Sequence, residues 1–117
     1  MRMWMVNPKM LCRKHLLGEH VELHMFMGWI KKDKDLTGFV EKGLVQVDQI
    51  PNRHNELILE MTNRGYNHAS EFTTYDYADW RHYIANKMPY GFVSKEKSIA
   101  ELLKRCPECK KRYEELK

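Results

Sequence analysis

His15-Leu16-Leu17-Gly18-Glu19-His20-Val21-Glu22-Leu23-His24 is the stretch from which the fold and the chemistry of this chain are read. Leu16 and Leu23 stand seven residues apart, and Met27 and Ile30 continue the series at spacings of four and three. Such spacings line apolar side chains along one stripe of an α-helix, where they leave water together. His15, Gly18, Glu19 and Glu22 fall at i, i+3, i+4 and i+7, so they share a second face beside that stripe. A carboxyl group placed there is partly desolvated, which raises its pKa and suits it to general acid or base work. Gly18 costs a helix interior about 1 kcal/mol relative to alanine. One return is room for another backbone, or a ligand, to approach near Glu22. The same residues also fit an ordinary boundary face of a helix, and the helix alone does not separate the two readings.

Working outward, Asn7-Pro8 puts a proline at an opening turn, while the charged run Lys31 to Asp35 and Gly38 close the helix. A rod over 8–32, about 35 Å long, is predicted. Gly38 to Ile50 contains Phe39, Val40, Leu44, Val45 and Val47 but no clear partner strand. A loop with a short helix packed on the first helix is expected there. Pro51-Asn52 opens a second helix, with Leu57, Ile58 and Met61 inward and Gly65 as its stop after Arg64. Residues 66–93 hold most of the tyrosines and are expected to be irregular, with a turn or two of helix. Ser94 caps a third helix carrying Ile99, Leu102 and Leu103, and Pro107 opens a last short one. The predicted class is mostly α, a single compact helical domain over 1–117 with a long N-terminal helix.

At 117 residues the chain can bury one modest core. No apolar run nears the roughly 20 residues of a membrane span, and MRMWMVNP lacks the apolar core and cleavage site of a signal peptide. A cytoplasmic monomer is expected. Three cysteines, an odd number, argue against a disulfide framework. The net charge of +4 is carried mainly by the two ends of the chain. Arg2, Lys9, Arg13, Lys14, Lys31, Lys32 and Lys34 load the start; Lys104, Arg105, Lys110, Lys111 and Arg112 load the finish. Termini brought together would form a basic groove for a polyanion, although a solvated surface accounts for the pattern almost as well. Tyr75, Tyr77, Trp80, Tyr83 and Tyr90 could stack on unpaired bases. The interleaved Asp76 and Asp79 would repel phosphates, so core packing is the expectation for most of these rings.

Cys106-Pro107-Glu108-Cys109 supplies half of a zinc site, which Cys12 and one histidine would complete. A cysteine N-cap followed by a helix-opening proline explains the motif without metal, and that reading is preferred. His20 and His24, at i and i+4, have a ligand spacing but lack the register of a zincin helix. No metal and no cofactor are expected.

The stretch HLLGEHVEL, followed by Phe26 and Gly28, resembles the long helix of the phage-type pyrimidine-dimer DNA glycosylase/AP lyase family, the endonuclease V type. Further matches keep their order: Arg2 beside the N-terminus, then Glu56-Leu57-Ile58-Leu59-Glu60 through Arg64-Gly65-Tyr66-Asn67, then the serine-led helix and a basic, tyrosine-bearing tail. The similarity covers nearly the whole chain and is strong at 15–28 and 56–67. It implies a helical domain whose N-terminal segment threads between helices to the active site. It also implies that the free α-amine attacks C1′ of a damaged nucleotide and displaces the base, leaving a Schiff base. A helix glutamate then promotes strand cleavage by β-elimination.

Carried over, the nucleophile falls on Met1, which the large Arg2 would protect from removal, and the glutamate is Glu22. α-Amines ordinarily titrate at about 7.7–8.0, so a useful fraction is nucleophilic near neutral pH. Arg2 matches a phosphate-binding arginine and His15 the helix histidine. With His20, Lys110, Lys111 and Arg112 they make the expected contacts to double-stranded DNA carrying a damaged or modified base. Val21 and Met25 stand where the family has arginines, which implies a weaker phosphate clamp and altered lesion recognition. Two rival readings are a non-catalytic DNA-binding protein of the same fold and a small zinc-stabilised interaction protein.

Overall fold

The apolar stripe read from the sequence is the axis of the core. Leu16, Leu23, Met27 and Ile30 are buried on one helix, α1 (Arg13–Lys31), together with Phe26. The computed structural model describes residues 1–67, 70–87 and 91–117. Among these, five further α-helices follow: α2 (Thr37–Glu41), α3 (Ile50–Asn63), α4 (Thr74–Lys87), α5 (Lys95–Arg105) and α6 (Pro107–Glu115). No strand occurs among the described residues, and no described helix is long and apolar enough to cross a membrane. α1 packs on α3 and α4, while α6 packs on α5 and on a 3-10 turn at Pro8–Met10.

The first helix begins later than predicted. Pro8–Met10 form a single 3-10 turn capped by Asn7, whose side chain accepts from the Lys9 N–H at 3.0 Å. Leu11 and Cys12 are then extended before α1 starts. Met10, Leu11 and Cys12 are all buried. Three consecutive side chains on a helix fan out over more than half a turn, so one buried face cannot take them all. Breaking the helix lets each turn inward, and α1 is left about 28 Å long.

The N-terminal segment is irregular yet deeply placed: Met3, Trp4 and Val6 belong to the core. Outside a helix its carbonyls need other donors, and arginines provide them. Arg53 Nη1 donates to Val6 O at 2.7 Å, and Arg64 Nη2 donates to Pro8 O and Leu11 O at 3.0 and 2.8 Å. Arg112 Nε adds a bond to Lys9 O at 2.9 Å. The Met3 N–H donates to Leu44 O at 2.7 Å, which lays the first residues along the loop after α2.

The undecided stretch after Gly38 is largely as expected, a short helix and loop. Phe39 from α2 meets Phe26 and Trp29 edge-on, at ring-centroid distances of 5.3 and 5.4 Å. α3 buries Leu57 and Met61 and half-buries Ile58, then stops at Gly65 with φ of +79°. Residues 66–93 depart most from expectation, because α4 is a full 14-residue helix. Its start is a reciprocal cap: the Thr73 N–H donates to Asp76 at 2.8 Å, and the Asp76 N–H donates to Thr73 Oγ1 at 3.1 Å. α4 buries only Tyr83 fully, so it has little of the apolar periodicity that marks a helix in sequence. Gly91 returns the chain beside Val45, where a Cβ would stand 2.5 Å from the Val45 carbonyl oxygen. Ser94 caps α5 by accepting from the Lys97 N–H at 3.2 Å, as predicted.

Candidate active site

An open cleft of about 460 Å³ lies where the N-terminal segment crosses α1. Met1, Arg2 and Trp4 form one wall, and His15, Gly18, Glu19 and Glu22 form the other. The helix face read from the sequence is therefore the face that lines a cleft. A Cβ on Gly18 would meet nothing within 4 Å. Its return is open space for a ligand, not the approach of another backbone.

The two glutamates of this face have different surroundings. Glu19 is 1% exposed and forms a two-pronged ion pair with Arg53, Nε to Oε2 at 2.7 Å and Nη2 to Oε1 at 2.9 Å. Glu22 is half-buried, and its Oε2 accepts the backbone N–H of Arg2 at 3.3 Å. Burial pushes the Glu22 carboxyl above its usual range, and the charge of Glu19 adds to this. The Arg2 N–H, the Met1 α-amine and the Arg2 guanidinium pull it back down. The bond from residue 2 places the α-amine of residue 1 beside the carboxyl group. That arrangement puts an amine and a carboxyl group of raised pKa at one open surface.

Of the other expected site residues, Arg2 and His15 line the cleft, whereas His20, Lys110, Lys111 and Arg112 are not part of its lining. The Arg2 guanidinium pairs with Glu101 at 2.7 Å, and its central carbon lies 3.7 Å from the Trp4 ring centroid. It braces the N-terminal segment against α5, and a phosphate would have to compete with Glu101 for it. Glu101 is held below the usual carboxylate range by that hydrogen bond from Arg2. His15 lines the cleft, but its Nδ1 faces sulfur, 3.1 Å from Cys12 Sγ and 3.6 Å from Cys109 Sγ. Burial, then the charges of Lys14 and Arg105, lower its pKa. His20 is buried, 3.1 Å from His54 between their Nε2 atoms.

Lys110 and Lys111 are exposed on α6. Arg112 lines a different opening of about 290 Å³ with Lys9, Glu60 and Arg64. The two basic ends do meet, at two openings: Arg2 and Lys14 face Arg105 across the cleft, and Lys9 lies with Arg112 at the second. Val21 and Met25 are exposed, at 55% and 47%, on the turns of α1 that carry Glu22.

Among the aromatic residues, Tyr83 is buried with its hydroxyl donating to Lys34 O at 2.7 Å, and Trp80 Nε1 donates to Val47 O at 2.8 Å. Tyr75 is 80% exposed, against the expectation of core packing that holds for its neighbours. Tyr90 lies outside the described residues.

Sequence reasoning missed Arg53, His54 and Arg64. Arg53 stands four residues before Leu57 and eight before Met61, so its spacing placed it on the buried face of α3. Its residue type argued the other way, because arginine is rarely fully buried unless paired.

No curated protein and no solved structure matches the chain significantly. The sequence profile of the pyrimidine dimer DNA glycosylases matches residues 1–74. That span holds α1, α3 and the N-terminal wall of the cleft, and it is more than half of the chain. The chain belongs to the pyrimidine dimer DNA glycosylase family.

Proposed function

We propose that this protein is a DNA glycosylase with AP lyase activity, in which the Met1 α-amine is the nucleophile and Glu22 handles protons. The neutral amine adds to C1′ of the target nucleotide as the bond from C1′ to the base breaks. The base leaves with the bonding pair and takes up the proton lost from the amine. Opening of the C1′–O4′ bond, with Glu22 supplying the proton on O4′, then leaves a Schiff base. The Glu22 carboxylate then accepts a proton from C2′, and the 3′ phosphate departs by β-elimination. Both roles suit a carboxyl group whose pKa is raised toward the working pH.

The observation that carries this reading is the hydrogen bond from the Arg2 N–H to Glu22 at 3.3 Å. It supports a site in which residue 1 and the helix glutamate act on the same sugar ring. The partner that fits is double-stranded DNA with a damaged or modified base. Exposed Val21 and Met25 beside the cleft favour contacts less dependent on phosphate charge than those two arginines would make.

The test is a protein with a few residues added before Met1. The extension turns the reacting nitrogen into an amide, which forms no Schiff base. The extended protein is expected to bind an abasic-site duplex yet give no borohydride-trapped adduct, and removing the extension should restore trapping. Equal trapping by both forms would move the nucleophile to a lysine.

A further inference from the structure

Outside the cleft chemistry, four ligand-type atoms meet where the N-terminal segment, α1 and α6 join. Cys12 is the residue before α1 and His15 lies in its first turn, while Cys106 and Cys109 lie at the start of α6. Cys12 Sγ is 3.8 Å from Cys106 Sγ and 3.1 Å from His15 Nδ1. Cys109 Sγ is 3.6 Å from the same nitrogen, and all four atoms lie within 4.8 Å of one another. A tetrahedral ion with sulfur bonds of about 2.3 Å has sulfur–sulfur edges of about 3.8 Å and slightly shorter sulfur–nitrogen edges. We propose that Cys12, His15, Cys106 and Cys109 form a closed Cys3His site for Zn²⁺.

A helix cap accounts for Cys106, whose Sγ accepts the Cys109 N–H at 3.4 Å, but not for the convergence of the other three side chains on it. A disulfide would use two thiols and strand the third beside His15. The Cys12 N–H donates to Cys109 Sγ at 3.2 Å, and backbone N–H groups aimed at sulfur support thiolate ligands. Cys12 and Cys106 each stand at a helix N-terminus, where the helix dipole favours negative sulfur. Three thiolates and an imidazole are the donor set of structural zinc. Four protein ligands leave no position for substrate, so the ion would fasten α6 to the N-terminal segment and fix His15 at the edge of the cleft.

A separate observation carries a second metal site. His54 Nε2 is 3.1 Å from both His20 Nε2 and His24 Nε2. The three nitrogens also lie 2.8, 3.4 and 2.9 Å from Ser70 O, in the order His54, His20, His24. Hydrogen bonds cannot satisfy this arrangement. If every Nε2 carries a proton for the carbonyl, the nitrogen contacts are donor against donor; if one is bare, it faces the carbonyl as acceptor against acceptor. An ion with nitrogen bonds of about 2.0–2.1 Å needs nitrogen–nitrogen edges of about 3.3 Å, close to those found. We infer that the three histidines form a second Zn²⁺ site joining α1 to α3.

The experiment is metal analysis of the full chain, prepared without a polyhistidine tag and dialysed, followed by replacement with Co²⁺. Two equivalents of zinc per chain are expected, with Co²⁺ giving a sulfur-to-cobalt charge-transfer band. Cys109→Ser should lose one equivalent and weaken or abolish that band; His24→Ala should lose the other equivalent and keep the band. Should either variant fail to fold, thiol alkylation of the native wild-type chain decides the first site and Zn²⁺ titration of the chelator-treated chain decides the second. The thiols are expected to be protected until a chelator is added. Reactive thiols without chelator, or no sulfur band with Co²⁺, would overturn the Cys3His site. A single equivalent accompanied by the sulfur band would overturn the histidine site.

Discussion

Glu19 and Glu22 are one turn apart on α1 and line the same cleft, yet they are different kinds of carboxylate. Glu19 is closed off by the two-pronged bond from Arg53, whose third contact holds the Val6 carbonyl. Its charge is spent on holding the N-terminal segment in place. Glu22 has a single 3.3 Å bond from the Arg2 backbone and no side-chain ion pair among the described residues. Burial outweighs the cations near it and raises its pKa, and an accessible carboxyl with a raised pKa is equipped to move protons. The difference teaches that a charged group in this cleft is structural when its partner is a buried arginine, and chemically available when its partner is only a backbone N–H.

The strongest way to break this comparison is Glu19→Gln. Removing one partner of a buried ion pair leaves the other charge uncompensated, at a typical cost of 3–5 kcal/mol. The glutamine oxygen still accepts one N–H from Arg53, so about 3 kcal/mol is expected. In a chain of this size that lowers Tm by about 10 °C. An unchanged Tm in thermal unfolding would show that the pair is not the anchor. Activity per folded molecule should fall much less than in the Glu22 variant.

Glu22→Gln should do the reverse. Strand cleavage is expected to fall by at least about 10²-fold, equivalent to about 2.7 kcal/mol of barrier, while Tm holds or rises. Cleavage assays on an abasic-site duplex, paired with melting curves, read both numbers, and normal cleavage would remove Glu22 from the chemistry.

A smaller effect lies in the pH dependence of stability. The folded pKa of Glu22 is raised, so its protonated form is the one favoured by folding. Its contribution is fully present below the unfolded carboxyl pKa of about 4.3 and is lost as pH rises through the higher folded value. The Tm of the wild type relative to Glu22→Gln should therefore decline from acidic toward neutral pH. A difference that grows with pH would mean that the carboxylate, not the acid, is stabilised.

The smallest effect concerns the exposed turns beside Glu22. Val21→Arg and Met25→Arg should each steepen the salt dependence of DNA affinity by about 0.9 in log–log slope if they gain one phosphate. An unchanged slope would place DNA away from this side of α1.

Some of this was legible because it is local. The Leu16–Ile30 stripe, the face shared by His15, Gly18, Glu19 and Glu22, the Ser94 cap and the Gly65 stop depend on residues within a few turns of one another. Helix periodicity and capping chemistry act over that range. The Thr73/Asp76 cap of α4 was equally local, but the helix it opens buries one residue fully and so carries almost no apolar signal.

By itself, then, the sequence determined an α-helical chain, a long amphipathic first helix and a carboxyl-bearing face beside its buried stripe. Only the tertiary structure decided what that face meets. Arg53 and Arg64 hold the carbonyls of an irregular N-terminal segment, and this brings residue 2 within hydrogen-bonding reach of Glu22. Cys12 and Cys109, 97 residues apart, come together only because α6 packs against the turn that precedes α1. Periodicity reports which side of a helix leaves water; it does not report which distant donors and ligands arrive there, because that follows from the packing of whole helices.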